Sequence, residues 1–268
     1  MKKFLNIIWL AIAVALLGGC AKNSSNEFQG YIEGEYVYVA SPLAGALDKL
    51  AVARGDQVKK GQLLFELERQ SEAAALTVAE KNLAQANASL TLSESTFQRR
   101  KELRDTPSAV ISAEELDQAR AQRDADTAQV AAQQAALDKA KWSFDQKQQF
   151  ASAAAIVHDT LYRQGEFVAA GNPVVVLLPP ENLKVRFFVP QEMLPQIKIG
   201  QSVSIQCDGA PHAINATINY ISTQAEYTPP VIYSRETRAN LVFMIEAKIS
   251  PADAADVRPG QPADVRLN

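Results

Sequence analysis

Between Gln70 and Phe150, large apolar residues recur at a seven-residue step. Leu76, Leu83, Leu90 and Phe97 carry the period first. After a break at Asp105-Thr106-Pro107-Ser108 it resumes with Leu116, Val130, Leu137 and Phe144, and Arg123 fills the single gap. Small residues stand between them, among them Ala79, Ala86, Ala119 and Ala140. A seven-residue period with Ala nearby predicts a narrow coiled-coil seam rather than a broad globular face. Neither arm contains Gly or Pro, and helix formers dominate both. A short Pro-containing break between two such runs predicts an antiparallel hairpin. With roughly 35 residues per arm and about 1.5 Å of rise each, the hairpin spans on the order of 50 Å. An ordinary helical domain with an Ala-rich core is the competing reading, but so narrow a seam buries little on its own.

A repeated phrase flanks this hairpin. Gly55, Asp56, Val58 and Gly61 match Gly165, Glu166, Val168 and Gly171 in internal spacing. Each phrase precedes an apolar run, Leu63-Leu64-Phe65 in one case and Val174 to Leu178 in the other. An internal repeat split by a helical insertion predicts one small β-structure built from two halves. The glycines mark turns that need positive φ. Strand candidates lie at Tyr36–Ala40, Leu47–Val52 and Leu63–Leu67. The phrase Gly-Asp-x-Val-Lys-Lys-Gly-Gln-x-Leu resembles one half of a biotinyl/lipoyl domain, a flattened β-sandwich of two similar halves. In carrier domains of that type a modified lysine sits on the turn joining the halves, and here the hairpin replaces that turn.

Beyond Pro179-Pro180 the texture becomes β-rich. Leu183-Lys184-Val185-Arg186-Phe187-Phe188-Val189-Pro190 opens it, and Val203–Gln206, Ala213–Ile221, Leu241–Ile249 and Ala263–Leu267 continue it. Several short strands of alternating polarity predict a small antiparallel barrel. The fold class is therefore α+β: a split biotinyl/lipoyl-like β-sandwich with an inserted antiparallel coiled-coil hairpin, followed by a small antiparallel β-barrel.

The N-terminus predicts the compartment. Met1-Lys2-Lys3 is basic, Phe4 to Leu17 is almost wholly apolar, and Leu17-Gly18-Gly19 places small residues before Cys20. That pattern is a secretory signal, with an apolar run shorter than the roughly 20 residues a spanning helix needs. With a cysteine at the cut it resembles a bacterial lipoprotein signal, which implies cleavage before Cys20 and lipidation of its sulfur. An uncleaved signal anchor is the alternative. The chain has two cysteines, so Cys207 is then the single free thiol, read as a buried small hydrophobe. A formal net charge of −3 without a basic block argues against a nucleic-acid partner.

The order of signal, half-sandwich, hairpin, half-sandwich and barrel closely resembles the HlyD-type periplasmic adaptor subunits, or membrane fusion proteins. Boundaries on this reading are a signal peptide (1–19), a tether (20–30), a first lipoyl-like half (31–69), the hairpin (70–150), a second half (151–182) and the barrel (183–268). Tyr227 to Ser234 also looks like a barrel loop of one branch of this family. Family hairpin tips similar to Arg-x3-Leu-x6-Ser dock on an outer-membrane channel of the TolC type. That resemblance implies a tip contact through Arg99, Leu103 and Ser112, with Ser112 two residues later than the family spacing. Ser112 with Glu115 also forms a Ser-x-x-Glu capping box, a purely structural role. The segment Ala151–Val157 lacks the Ala-Pro and Gly usual at the re-entry, which predicts an intact fold with a looser turn. The chain ends soon after the barrel, which leaves no complete membrane-proximal domain on this reading.

The resemblance implies an inner-membrane transporter partner (ABC-type preferred over proton-driven), a TolC-type channel, ring-like self-association and export of small molecules or drugs. It implies a lipid-anchored protein of the Gram-negative periplasm. The inner membrane is preferred over the outer, although Ala21 is not the acidic residue commonly linked with inner-membrane retention. Two other readings stay open: a carrier module modified at Lys59 or Lys60, and an envelope-spacing structural lipoprotein. No catalytic site, cofactor or metal site is expected. His158 and His212 are isolated, and no nucleophile elbow, P-loop or dinucleotide fingerprint is present.

Overall fold

The computed structural model describes residues 27–106, 111–227 and 241–268. The chain divides into two compact units, Glu35–Pro180 and the strand up to Gly34 together with Glu181–Asn268.

The first unit is a two-sheet sandwich carrying the hairpin. Its first half supplies β2 (Val37–Ala40), β3 (Gly45–Leu50), β4 (Gln57–Val58) and β5 (Leu63–Leu67). Helices α1 (Gln70–Arg104) and α2 (Ala113–Asp145) follow. The second half supplies β6 (Gln148–Phe150), β7 (Ala155–Thr160), β8 (Phe167–Val168) and β9 (Pro173–Leu178). One sheet runs β2-β9-β7-β4 and the other β6-β5-β3-β8. Adding 110 to a first-half residue number gives its counterpart: Gly55 maps to Gly165, Gly61 to Gly171, and β3 onto β7. The same shift converts one strand order into the other, so the sandwich is pseudo-twofold and each sheet mixes strands from both halves. Neither half can close a core alone. Leu47, Leu64, Phe65 and Leu67 pack with Val157, Val168, Val174 and Leu177 in one apolar cluster.

Reciprocal hydrogen bonds tie the halves together. The Gly55 N–H donates to Val157 O, and the Gly165 N–H donates to Leu47 O, each at 2.8 Å. Both glycines hold φ near +90° (93° and 91°), where an L side chain is strained. They stand third in a four-residue turn that occurs seven times among the described residues: Ala53–Asp56, Lys59–Gln62, Arg163–Glu166, Ala169–Asn172, Lys198–Gln201, Cys207–Ala210 and Arg258–Gln261. In each, the fourth N–H returns to the first carbonyl, the type II pattern. The re-entry turn is pinned on both sides. Ala151 donates to Gln62 O at 2.9 Å and accepts from the Gly61 N–H at 2.8 Å.

The second unit is a closed six-stranded antiparallel barrel in the order β1-β10-β13-β12-β11-β14. These strands are β1 (Glu27–Gly34), β10 (Leu183–Pro190), β11 (Ser202–Cys207), β12 (Ile214–Tyr227), β13 (Leu241–Ile249) and β14 (Pro262–Leu267). Strand β10 alternates strictly, burying Leu183, Val185, Phe187 and Val189, the period-2 signature of a strand with one face on the core.

The expected assignment of residues 20–30 to the tether and of residues from 31 onward to the first lipoyl-like half is corrected here. Glu27–Gly34 is a barrel strand that pairs with both β10 and β14. Without it the barrel would have two open edges. Phe28 and Ile32 turn inward, and Gly30 lets β10 approach: a Cβ there would collide with the Arg186 carbonyl and lie 2.7 Å from the Phe187 Cβ.

Candidate docking site: the hairpin, its tip and its root

The hairpin pairs 35 residues of α1 with 33 of α2. Its seam is narrower than the sequence period implies. Ala79, Ala86, Ser93 and Phe97 are buried on α1 and Ala119 on α2, whereas Leu76, Leu83 and Leu90 are only half-buried. Small seam residues let the helices approach closely, and the leucines flank that line of contact. Arg123, the gap in the period, lies with its guanidinium 4.5 Å from the Phe97 ring centroid. It also pairs with Asp124 at 2.7 Å, so a cation–π contact stands where an aliphatic residue was missing.

Toward the tip, α1 ends at Arg104 and α2 begins after Ser112. Arg99 is exposed and Leu103 is 47% exposed. Four residues apart on a helix, they share one face. Ser112 is the N-cap of α2: its hydroxyl accepts from the Glu115 N–H at 3.2 Å while its own N–H donates to Glu115 Oε2 at 3.0 Å. Both arms of the capping box are therefore formed. The bonds from the Ser112 backbone and hydroxyl lower the Glu115 pKa against a small opposing effect of burial, and the Arg100 charge adds to them. Arg100 donates across the hairpin to Glu115 O at 2.9 Å. Residues 107–110, the lipidation candidate Cys20 with its signal, and the barrel-loop segment after Tyr227 lie outside the described residues.

The root holds a cluster that sequence reasoning missed. Lys147 is 4% exposed, and its ammonium donates to Ala44 O (2.8 Å) and Glu68 O (3.1 Å) and pairs with Glu72 Oε1 (3.0 Å). Beside it the Ser41 hydroxyl donates to Gln146 O at 2.9 Å. Arg69 pairs with Glu66 at 2.6 Å and lies 4.5 Å from the Phe144 ring centroid. Space here is tight, since a Cβ on Gly45 would lie 3.1 Å from the Lys147 Nζ. Both helix ends are thereby fastened to the sandwich. The signal was available: Glu72 and Lys147 fall on the seam, seven residues before Ala79 and after Ala140.

Gly55, Gly61, Gly165 and Gly171 occupy positive-φ turns. Cys207 is buried, and burial first, then Asp208 and Asp264, pushes its thiol pKa up. His158 stacks on Tyr36 at 4.2 Å. His212 is 55% exposed, 3.7 Å from Asp253. Lys59 and Lys60 lie in a turn within the first half. On the barrel wall Glu246 bridges Lys184 and Arg186, each at 2.8 Å, and Arg186 also meets Glu33 at 2.8 Å. Burial pushes the Glu246 carboxyl up, but the hydrogen bonds and charges of Lys184 and Arg186 outweigh it and hold the pKa low. No described helix is long and apolar enough to cross a membrane.

Comparison with known proteins gives the hairpin a family. Residues 75–147 match the family model described as the RND MFP alpha-helical hairpin domain. A UPF0194 membrane protein of Enterobacter sp. (strain 638) is 27% identical, the match covering 100% of this chain and 98% of that protein. The UPF0194 membrane protein YbhG of Salmonella gallinarum is 26% identical over 98% of this chain and 97% of its own. Among solved structures, the membrane fusion protein Spr0693 from Streptococcus pneumoniae superposes with a TM-score of 0.66 at 20% identity, over 90% of this chain and 98% of that one. MacA from Actinobacillus actinomycetemcomitans gives 0.68 at 17% identity, over 90% and 78%. These two structures share the fold. Hairpin, split sandwich and closed barrel together give this chain the fold of those two structures, and its hairpin matches the membrane fusion protein hairpin domain along both helices.

Proposed function

We propose that this chain is a lipid-anchored periplasmic adaptor that joins an inner-membrane transporter to a TolC-type outer-membrane channel for export of small molecules or drugs. The observation that carries the reading is the hairpin: two uninterrupted helices, fastened at the root by Lys147, with Arg99 and Leu103 exposed together near the far end. A rigid arm with an exposed recognition face suits docking at a distance. At about 1.5 Å per residue it reaches roughly 50 Å, so the channel extends inward to meet it. An ABC-type transporter is preferred over a proton-driven pump on the family resemblance alone.

Ring formation has support in the sandwich. Phe167, 69% exposed, stands on edge strand β8, and Phe150, 48% exposed, on β6 at the opposite edge of the same sheet. Different patches on opposite edges favour a head-to-tail contact that closes by rotation. A carrier role at Lys59 or Lys60 fits less well, because neither lies between the halves; a lysine adduct in the intact mass would revive it.

The test is genetic. Deleting the gene should raise cellular accumulation of an exported compound. The native chain should restore export, and Leu103→Glu, folded and membrane-associated, should not. Unchanged accumulation across a broad toxicant panel overturns the proposal and favours an envelope-spacing lipoprotein.

A further inference from the structure

The two flanks of the hairpin differ in charge. On one, Ser89, Leu92 and Thr96 of α1 and Ala119, Gln122 and Asp126 of α2 line an open groove of about 390 Å³. Steps of seven from Leu92 lead to Gln85 and Val78 toward the root and to Arg99 toward the tip, and the same step from Thr96 leads to Leu103. The three exposed large apolar side chains of α1 therefore share this flank: Val78 (59%), Leu92 (68%) and Leu103 (47%). From Val78 to Thr96 its α1 positions carry no charge. Over the same stretch Glu80 and Glu94 of α1 and Arg120, Asp124, Asp138 and Lys141 of α2 stand in the registers of the opposite flank.

Two contacts across the hairpin set the levels of its helices: Arg123 with Glu94 at 3.8 Å, and Arg100 with Glu115 O at 2.9 Å. Stepping down α1 and up α2 from the first contact, Leu92 is level with Ala125 and Val78 with Lys139. Stepping one residue from the second, Arg99 stands beside the level of Glu115.

We propose that this flank is a self-association surface, on which a second copy of this chain packs the same flank about a twofold axis running along the hairpin. That operator lays each α1 on the α2 of the other copy at the same level, in an isologous contact. Leu92 then packs on Ala125 and Gln122 of the second copy, and Val78 on the aliphatic stem of its Lys139. Asp126 receives the Ser89 hydroxyl, and Arg99 meets Glu115. Each charge on the flank finds a countercharge, a hydroxyl or an apolar side chain, and none meets its like. From Val78 to Leu103 the strip is roughly 38 Å long, and two helices are about 20 Å across. It offers on the order of 700 Å² per copy, close to the roughly 800 Å² of a standard interface. The pairing covers Arg99 and Leu103, so on the docking reading above it competes with the channel for the tip; the contact itself does not depend on that reading.

The test is sedimentation velocity of the full lipoprotein in detergent. The native chain should run as a dimer at about 50 μM. Leu92→Glu, which sets two carboxylates into each interface, should weaken association about tenfold or more. Ser89→Glu, set against Asp126, should do the same, and thermal melts show that each variant is folded. Gln134→Glu, exposed on the opposite flank, should leave the dimer unchanged. A photocrosslinking residue in place of Leu92 should give an adduct of twice the chain mass that maps to α2 around Ala125. A native monomer at this concentration overturns the proposal. A dimer dissolved by Phe167→Glu but untouched by both flank variants overturns it in favour of the sandwich edges. An adduct that maps to α1 overturns the twofold. An in-cell adduct at Leu92 with an outer-membrane channel protein alone overturns it in favour of a channel helix in the groove.

Discussion

Lys147→Met deletes the root ammonium while keeping the hydrophobic stem. Three partners lose a charged donor: Ala44 O at 2.8 Å, Glu68 O at 3.1 Å and Glu72 Oε1 at 3.0 Å. Breaking a fully buried pair costs about 3–5 kcal/mol, but the Glu72 side chain is 21% exposed and water recovers part of its solvation. We therefore expect a loss near the lower bound, about 3 kcal/mol, which is roughly a hundredfold in the opening equilibrium of the root. Apart from Trp9 in the signal, Trp142 is the single tryptophan. It lies on α2 five residues before Lys147 and reports the root directly. Its fluorescence in a urea titration should show a midpoint lower by about 1 M, and amide exchange should rise at both helix ends by the root. Adding Glu72→Met to the variant should recover part of the loss by removing the orphaned carboxylate. A midpoint unchanged within about 0.2 M would refute the clamp. A large loss with no recovery in the double variant would refute the ion pair as its source.

Other consequences follow from single residues. Gly55→Ala and Gly165→Ala should each cost about 1–2 kcal/mol, and nearly the same amount as each other. Their φ angles agree within 2° (93° and 91°) and neither Cβ would meet a neighbour within 4 Å; paired urea titrations compare them. Ser112→Ala should lose about 1 kcal/mol of α2 stability, whereas Ser112→Asp keeps the cap. If both variants lose export equally, Ser112 is a contact rather than a cap. Glu246 has a folded pKa below its ordinary 4.5, so its stabilising contribution is present above pH 4.5 and is lost as pH falls through the lowered value. Thermal melts of Glu246→Gln should therefore be less stable than the native chain at neutral pH and converge on it in acid.

Sequence made the sandwich legible where a turn leaves a residue-level mark. The Gly-acid-x-Val-x-x-Gly phrase survives because positive φ at Gly55 and Gly165 excludes nearly every other residue. The heptads of Leu76 to Phe144 were visible because coiled coils repeat locally. What escaped were relations between distant segments. Strand β1 looked like tether and half-sandwich because its pairing is with residues about 150 and 230 positions away. The Lys184–Arg186–Glu246–Glu33 network is invisible for the same reason. The seam was misweighted toward leucine, since period alone does not tell a flanking Leu83 from a buried Ala86. Lys147 was readable in principle as a charge in seam register, but only the structure shows the carbonyls that receive it.

The most direct test of the adaptor reading is in-cell photocrosslinking from a probe at Leu103, with Val78, 59% exposed on the same helix, as the control site. A docking tip predicts an adduct between Leu103 and an outer-membrane channel protein that is absent from Val78. Equal labelling of other envelope proteins from both sites, with no channel adduct at Leu103, would contradict it.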